Sequence, residues 1–225
     1  MTLSIATRAA CLCSVAVLAA ACSDSAAPKP PAPHTPSIAP KAAEAAGAAK
    51  AAPGDSATNP AAGKLSTSTS DPSIIEIGGL EMPKPATWTW QAPSMAFRTL
   101  QYAVPAEGSG SGGELVFSFF AAGDGGALDA NIERWHQQFR GADGNAAPFE
   151  RADREVNGLK VIVMKFAGSY QGMGAAAPRQ GMEQLGAIVQ APSGNVFIRL
   201  IGPSATVNSH RDAFASMIKG LKLAK

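Results

Sequence analysis

Three histidines, His34, His136 and His210, are the residues of this 225-residue chain best suited to ligate a metal or move a proton near neutral pH. None has a cysteine or carboxylate at ligand spacing, so the pattern gives no zinc site. Gly108-x-Gly110-x-x-Gly113 spells a dinucleotide fingerprint, but that motif needs a helix behind it, and the residues that follow alternate like a strand. It reads as a loop. The turn Gly123-Asp124-Gly125-Gly126 does precede a helical pattern whose amides could receive an anion, yet no P-loop lysine or serine follows. Glu76 with Glu81, or Glu150 with Glu155, could be drawn as acid/base pairs; exposed charge is the simpler reading. Ser94 or Ser169 as nucleophiles would need a positioned base that the sequence does not supply. No catalytic residue, no metal site and no cofactor is expected.

Two features point to binding instead. The connection from Ser169 to Gln184 is a long link between two strands, and loops of that length inside compact domains are often functional. Its Tyr170, Met173, Arg179 and Met182 would give a soft apolar surface with one cation, suited to a peptide or partner protein. Met173 and Met182 could also be drawn as a copper(I) site, but two thioethers lack a third ligand. The second feature is Trp88 and Trp90, which share one face of a short alternating stretch. They form an exposed aromatic pair or part of the core, depending on which face packs.

The elements that must position these residues follow from periodicity. Thr87 to Trp90, Phe97 to Val104 and Glu114 to Ala121 alternate as strands, with Gly108 to Gly113 as a hairpin loop. Leu128, Ile132, Trp135 and Phe139 then make a helical stripe that Gly141 to Gly144 ends. Phe149 to Val156 and Leu159 to Phe166 pair through Asn157-Gly158, and Leu185 to Gln190 pairs with Val196 to Ile201 through Pro192 to Asn195. A closing helix from about Thr206 carries a capping box at Ser209 and Asp212 and an apolar face of Phe214, Met217, Ile218 and Leu221. Consecutive hairpins with two one-sided helices predict an α+β fold: a mainly antiparallel sheet of about six to seven strands with both helices packed on it.

The N-terminal 72 residues are of another kind. Arg8, an apolar run from Ala9 to Leu18 and small residues up to Cys22 have the layout of a secretory signal, too short to span a bilayer. Cys11 and Cys13 would leave with that signal, and Cys22 would be the one thiol of the mature chain. Residues 22–72 are rich in Ala, Pro and Ser and lack aromatic residues, which predicts a disordered tether between the signal at 1–21 and a single domain at 73–225. The net charge of +2 is scattered, so nucleic acid is not an expected partner.

Two resemblances extend this. Leu18-Ala19-Ala20-Ala21-Cys22 resembles the lipobox of bacterial lipoproteins, which implies acylation of Cys22 and cleavage before it; the alternative is ordinary cleavage after Ala19-Ala20-Ala21, leaving a free thiol. Ser23 implies the outer membrane by the same analogy, and Asp24 pulls against that. Asn131 to Trp135 with Phe139 and Asp143-Gly144, then Val156-Asn157-Gly158, then Phe197 to Pro203, resembles a group of uncharacterised bacterial lipoproteins whose element order is similar to PsbP-like α/β/α sandwich domains. The resemblance implies a non-catalytic binding or assembly role, with the membrane reached through the lipid and an envelope protein or small ligand as partner. The competing class is a small periplasmic hydrolase with a loop-built site. A concave pocket of convergent titratable groups would favour the enzyme, and a filled sheet with a mobile 169–184 loop would favour the binder.

Overall fold

In the computed structural model, which describes residues 63–225, alternation of large apolar residues becomes strand wherever turn residues bracket it. Ile74–Ile77 (β1) and Leu80–Pro83 (β2) form a hairpin, and the short Lys222–Leu223 (β11) pairs with β2 to complete a three-stranded sheet. The main sheet contains Thr89–Gln91 (β3), Leu100–Val104 (β4), Gly113–Ala121 (β5), Phe139–Arg140 (β6), Phe149–Val156 (β7), Leu159–Tyr170 (β8), Arg179–Ala191 (β9) and Gly194–Pro203 (β10). Its order is β3-β4-β5-β10-β9-β8-β6, with β7 also on β8, and all its pairings are antiparallel. Three helices complete the domain: Leu128–His136 (α1), Ser204–Ser209 (α2) and Arg211–Lys219 (α3). The class is α+β, as the consecutive hairpins require.

Alternation along the strands gives the main sheet two apolar faces. On one, Leu115, Phe117, Val189, Ile198 and Leu200 are buried with Ile75, Ile77, Leu80 and Met82 of the small sheet and with Phe214, Met217 and Ile218 of α3. On the other, Ile162, Met164, Phe166, Ile188 and Phe197 pack with Ile132 and Trp135 of α1 and with Phe139. Gly186 permits this second contact. A Cβ there would stand 2.8 Å from Met164 Cγ and 3.2 Å from Trp135 Cζ3, so a larger residue would lift α1 off the strand. At the far end of β8, Asn157 and Gly158 take φ of 50° and 80°, the left-handed pair that a two-residue hairpin turn demands. Asn157 Nδ2 also donates to the Leu221 carbonyl at 2.7 Å, fastening the turn to the end of the last helix.

Several expectations need correction. Strands β1, β2, β6 and β11 have only 4, 4, 2 and 2 residues, too few to display a period, so two sheets replace the expected one. The first helix ends at His136, before the glycines; Phe139 leaves the helical stripe and becomes the buried residue of β6. The closing helix starts at Ser204 and breaks at His210, whose ring accepts from Trp88 Nε1 at 3.2 Å and reaches the Pro105 carbonyl at 3.1 Å. No capping box forms, because Ser209 Oγ donates back to the Thr206 carbonyl. Residues 64–72, assigned to the tether by composition, carry domain contacts: Ser66 is buried and exchanges two hydrogen bonds with Glu76, and Leu65 packs on the core. Small polar residues look like linker in a composition window even when backbone hydrogen bonds hold them. The leader, Cys22, His34 and the earlier part of the tether lie outside the described residues. Among the described residues, no helix is long and apolar enough to cross a membrane.

Lys84 illustrates how the polar interior is satisfied. Only 7% exposed, its ammonium donates to the carbonyls of Pro72, Pro85 and Trp88 and sits 5.1 Å from the centre of the Tyr102 ring. Burial pulls its pKa below the usual lysine value, with Asp71 opposing. Replacing Lys84 by Met strands those carbonyls, so Lys84→Met is expected to lower the unfolding free energy by about 2 kcal/mol, read from the urea midpoint at constant m. Lys64→Met, which removes only an exposed partner of Glu76, should shift the midpoint far less.

Candidate functional site

On the face that α1 shares, the helix stops short of covering β5 and the middle of β10. The uncovered part forms a cleft of about 640 Å³, floored by Val116, Phe120, Phe197 and Arg199 and rimmed by residues 95–98 and 170–179. Aromatic rings run from rim to floor in contact. Phe97 stacks on Phe120 at 6.5 Å, Phe120 meets Phe197 edge-on at 5.5 Å, and Phe197 meets Trp135 at 6.0 Å. Phe97 is 78% exposed and has φ of 66°, a left-handed backbone that costs a non-glycine residue on the order of 1–3 kcal/mol. The strained turn holds a large apolar ring at the mouth of the cleft.

The charged groups of the cleft are unequal in sign. Four arginines, Arg98, Arg134, Arg179 and Arg199, line it with a single carboxylate, Glu114. Arg199 lies in the central strand of the main sheet, its guanidinium 5.1 Å from the centre of the Trp135 ring. Its Nε and Nη2 donate to Gln184 Oε1 at 2.9 and 2.6 Å, and Nη2 also donates to Gln138 Oε1 at 2.8 Å. These partners are neutral. Burial pulls the Arg199 pKa down from the usual guanidinium value, but that value is so high that the group keeps its charge. Arg98 is partly buried and divides itself between Gln101 at 2.8 Å and Glu114 at 3.3 Å. Arg134 donates to Asn131 Oδ1 at 3.0 Å, and Arg179 stands over the Tyr170 ring at 5.7 Å. Among the described residues, Arg134, Arg179 and Arg199 form no ion pair.

The structure sorts the residues singled out from sequence. Tyr170, Met173 and Arg179 do come together on the cleft, although the connection they occupy is shorter than expected: β8 runs to Tyr170, β9 begins at Arg179, and only 171–178 lies between. Polar residues masked the strand ends, which pair across a register shift at Gly168 to Tyr170. Met182 leaves the group, because β9 turns its side chain into the core at 3% exposure. Trp88 leaves too: it is fully buried and bonded to His210, and β3 begins only at Thr89. Trp90 is partly buried against the same core. The exposed aromatic pair does not exist.

The candidate catalytic groups fare no better. His136 packs at a tilt against Phe149, 4.6 Å between ring centres, and is bonded to the Ala147 carbonyl, and Ser94 donates to Gln101. Ser169 lies in the β6–β8 pairing. Glu76 and Glu81 face each other in register, each held by a lysine, Lys64 at 2.8 Å and Lys222 at 2.9 Å. Glu150 pairs with Lys165 at 3.7 Å, and Glu155 is exposed. Among the described residues, no three His, Cys, Asp or Glu side chains gather at metal-binding distance. Sequence reading missed Arg98, Arg134 and Arg199. They come from three separate parts of the chain, and only the sheet order brings them to one opening; an arginine inside a hydrophobic strand, Phe197-Ile198-Arg199-Leu200-Ile201, was the one signal in the sequence.

No protein-family model matches the chain, and no curated protein matches it. Among solved structures it is similar to PA94, a Pseudomonas aeruginosa protein of unknown function, with TM-score 0.40 and 18% identity over 65% of this chain and 92% of that one. It is also similar to cyanobacterial PsbP (CyanoP) of Synechocystis sp. PCC 6803, with TM-score 0.44 and 11% identity over 64% of this chain and 86% of that one.

The exposures yield an accessible check. Met173 is 75% and Met95 51% exposed, while Met164, Met182 and Met217 are buried. Mild peroxide followed by peptide mass mapping should convert Met173 and Met95 to sulfoxide first. Early oxidation of Met182 would contradict the placement of β9.

Proposed function

We propose that this chain is a lipid-anchored protein of the cell envelope whose domain, of PsbP-like type, binds a ligand without transforming it. The observation that carries the binding reading is the cleft itself. It is concave and lined by rings, thioethers and guanidiniums, and among the described residues its lining offers no histidine, cysteine, lysine or aspartate. Charged groups converge there, but arginines hold charge rather than exchange protons at neutral pH, and the one carboxylate, Glu114, is paired with Arg98 at 3.3 Å rather than hydrogen-bonded to Ser118. The converging groups do not support the hydrolase alternative. The PsbP-like assignment is supported by the order of elements, a hairpin-rich antiparallel sheet with one helix after β5 and a closing helical segment, and by the motif residues Asn131 to Trp135, Val156 to Gly158 and Phe197 to Pro203.

The anchoring half of the proposal is supported by sequence: a signal-like leader over 1–21, the lipobox-like ending at Cys22, and an Ala/Pro/Ser-rich stretch long enough to hold a domain away from a membrane surface. The outer membrane is the proposed destination, on the strength of Ser23. The partner is a small ligand or another envelope protein.

Two measurements test the halves separately. Intact mass of the mature chain should show residues 1–21 removed and Cys22 acylated, and Cys22→Ser should release the protein from the membrane fraction; an unmodified N-terminal cysteine would sink the anchoring. For binding, a photoreactive residue in place of Met173 of the full-length protein should give one discrete adduct in cells. Moving it to Leu223, half exposed on the small sheet, should abolish the adduct. Identical patterns from the two positions would remove the cleft from consideration.

A further inference from the structure

We infer that the cleft takes an amphiphile bearing one oxyanion, a carboxylate or phosphate, at the end of an apolar body. This deepens the binding reading above and rests on it. Four guanidiniums face one carboxylate in the lining, and that carboxylate is already engaged by Arg98. Arg199 is held by neutral amides on its Nε and Nη2, lies close enough to the Tyr170 hydroxyl for that phenol to favour its charged form, and forms no ion pair among the described residues. A guanidinium fixed in this way presents a planar donor edge without a counter-charge, which is the geometry that recognises an oxyacid. Gln184 fixes it firmly because it is itself fully buried, and Trp135 supports the flat face of the guanidinium.

The rest of the lining selects the rest of the ligand. A free inorganic anion would need only the arginines, yet Phe97, Phe120, Phe197, Met95 and Met173 surround them, with Phe97 and Met173 left largely bare to solvent. Bare rings and thioethers at a mouth gain most from covering alkyl or aryl carbon. The volume of about 640 Å³ lies within the range of sites that enclose small molecules. Arg199 on the floor and the bare Phe97 and Met173 on the rim thus match the two ends of one molecule.

The test uses the full-length protein and four probes below their micelle concentrations: decanoate, decyl phosphate, decanol and inorganic phosphate. Binding is measured by calorimetry and by the fluorescence change of Trp135. Decanoate or decyl phosphate should bind at least about tenfold more tightly than either decanol or inorganic phosphate, and the stronger of the two names the oxyacid. Arg199→Gln should weaken the better probe by about tenfold or more, Arg199→Lys should restore only part of it, and Phe97→Ala should weaken the decyl compounds while leaving inorganic phosphate unchanged. Arg154→Gln, exposed on β7, serves as a control that should change nothing. Should Arg199→Gln unfold the chain by circular dichroism, Arg98→Gln carries the same expectation. Equal binding of decanol overturns the anion assignment and leaves the cleft a binding site. Absence of binding by all four overturns the inference, whereas the adduct at position 173 decides the binding reading independently.

Discussion

An antiparallel sheet with large apolar residues on both faces has to be covered twice, and here the two coverings differ in extent. The face carrying Phe117, Val189 and Ile198 is closed by α3 and by a second small sheet, so its interior residues are almost completely removed from water. The other face receives only α1, nine residues long, which reaches the β8 and β9 side through Trp135 and Ile132. The cleft follows from that shortfall. Where the helix ends, the sheet does not, and the side chains of β5 and β10 that point the same way become the floor of an opening. Had the helix been longer, Arg199 would have been sealed into the core without a carboxylate, at a cost no fold of ordinary stability would absorb.

The same cleft works against stability. Its guanidiniums repel one another, its exposed rings add nothing to the core, and Phe97 holds an unfavourable backbone conformation. These are local departures from the agreement between pattern and packing that the long strands show. The surrounding structure compensates through rigid neighbours: Gln184 and Gln138 orient Arg199, and Asn131, bonded to the Gly125 and Ala127 carbonyls at 2.8 and 3.0 Å, orients Arg134.

Much of the fold was legible because its long elements carry strong periods. The Phe149 to Val156 strand and the Asn157-Gly158 turn appear where alternation and turn chemistry place them, and the Phe214, Met217 and Ile218 stripe is buried as its spacing requires. Short elements were not legible, since a strand of two residues has no period to read. Helix ends were misread for a related reason. Phe139 continues a helical spacing by coincidence, and only its pairing with Tyr170 across β6 and β8 settles which element owns it. At the cleft, Tyr170, Met173 and Arg179 could be singled out from local sequence, whereas the arginines from β10, α1 and the segment before β4 are brought together by long-range order that one sequence does not display. Met182 was lost because a polar stretch, Gln180-Gly181-Met182-Glu183-Gln184, hid a buried strand behind glutamine and glutamate.

The small sheet joins the two ends of the domain. Residues 64–66 bond to β1, β1 pairs with β2, and β11 pairs with β2 from the other side, so the polypeptide enters and leaves at one pole. That pole lies behind the main sheet, and the opening lies in front. Both ends of the described chain, residues 64–66 and β11, therefore sit on the side of the main sheet away from the opening and leave its mouth clear.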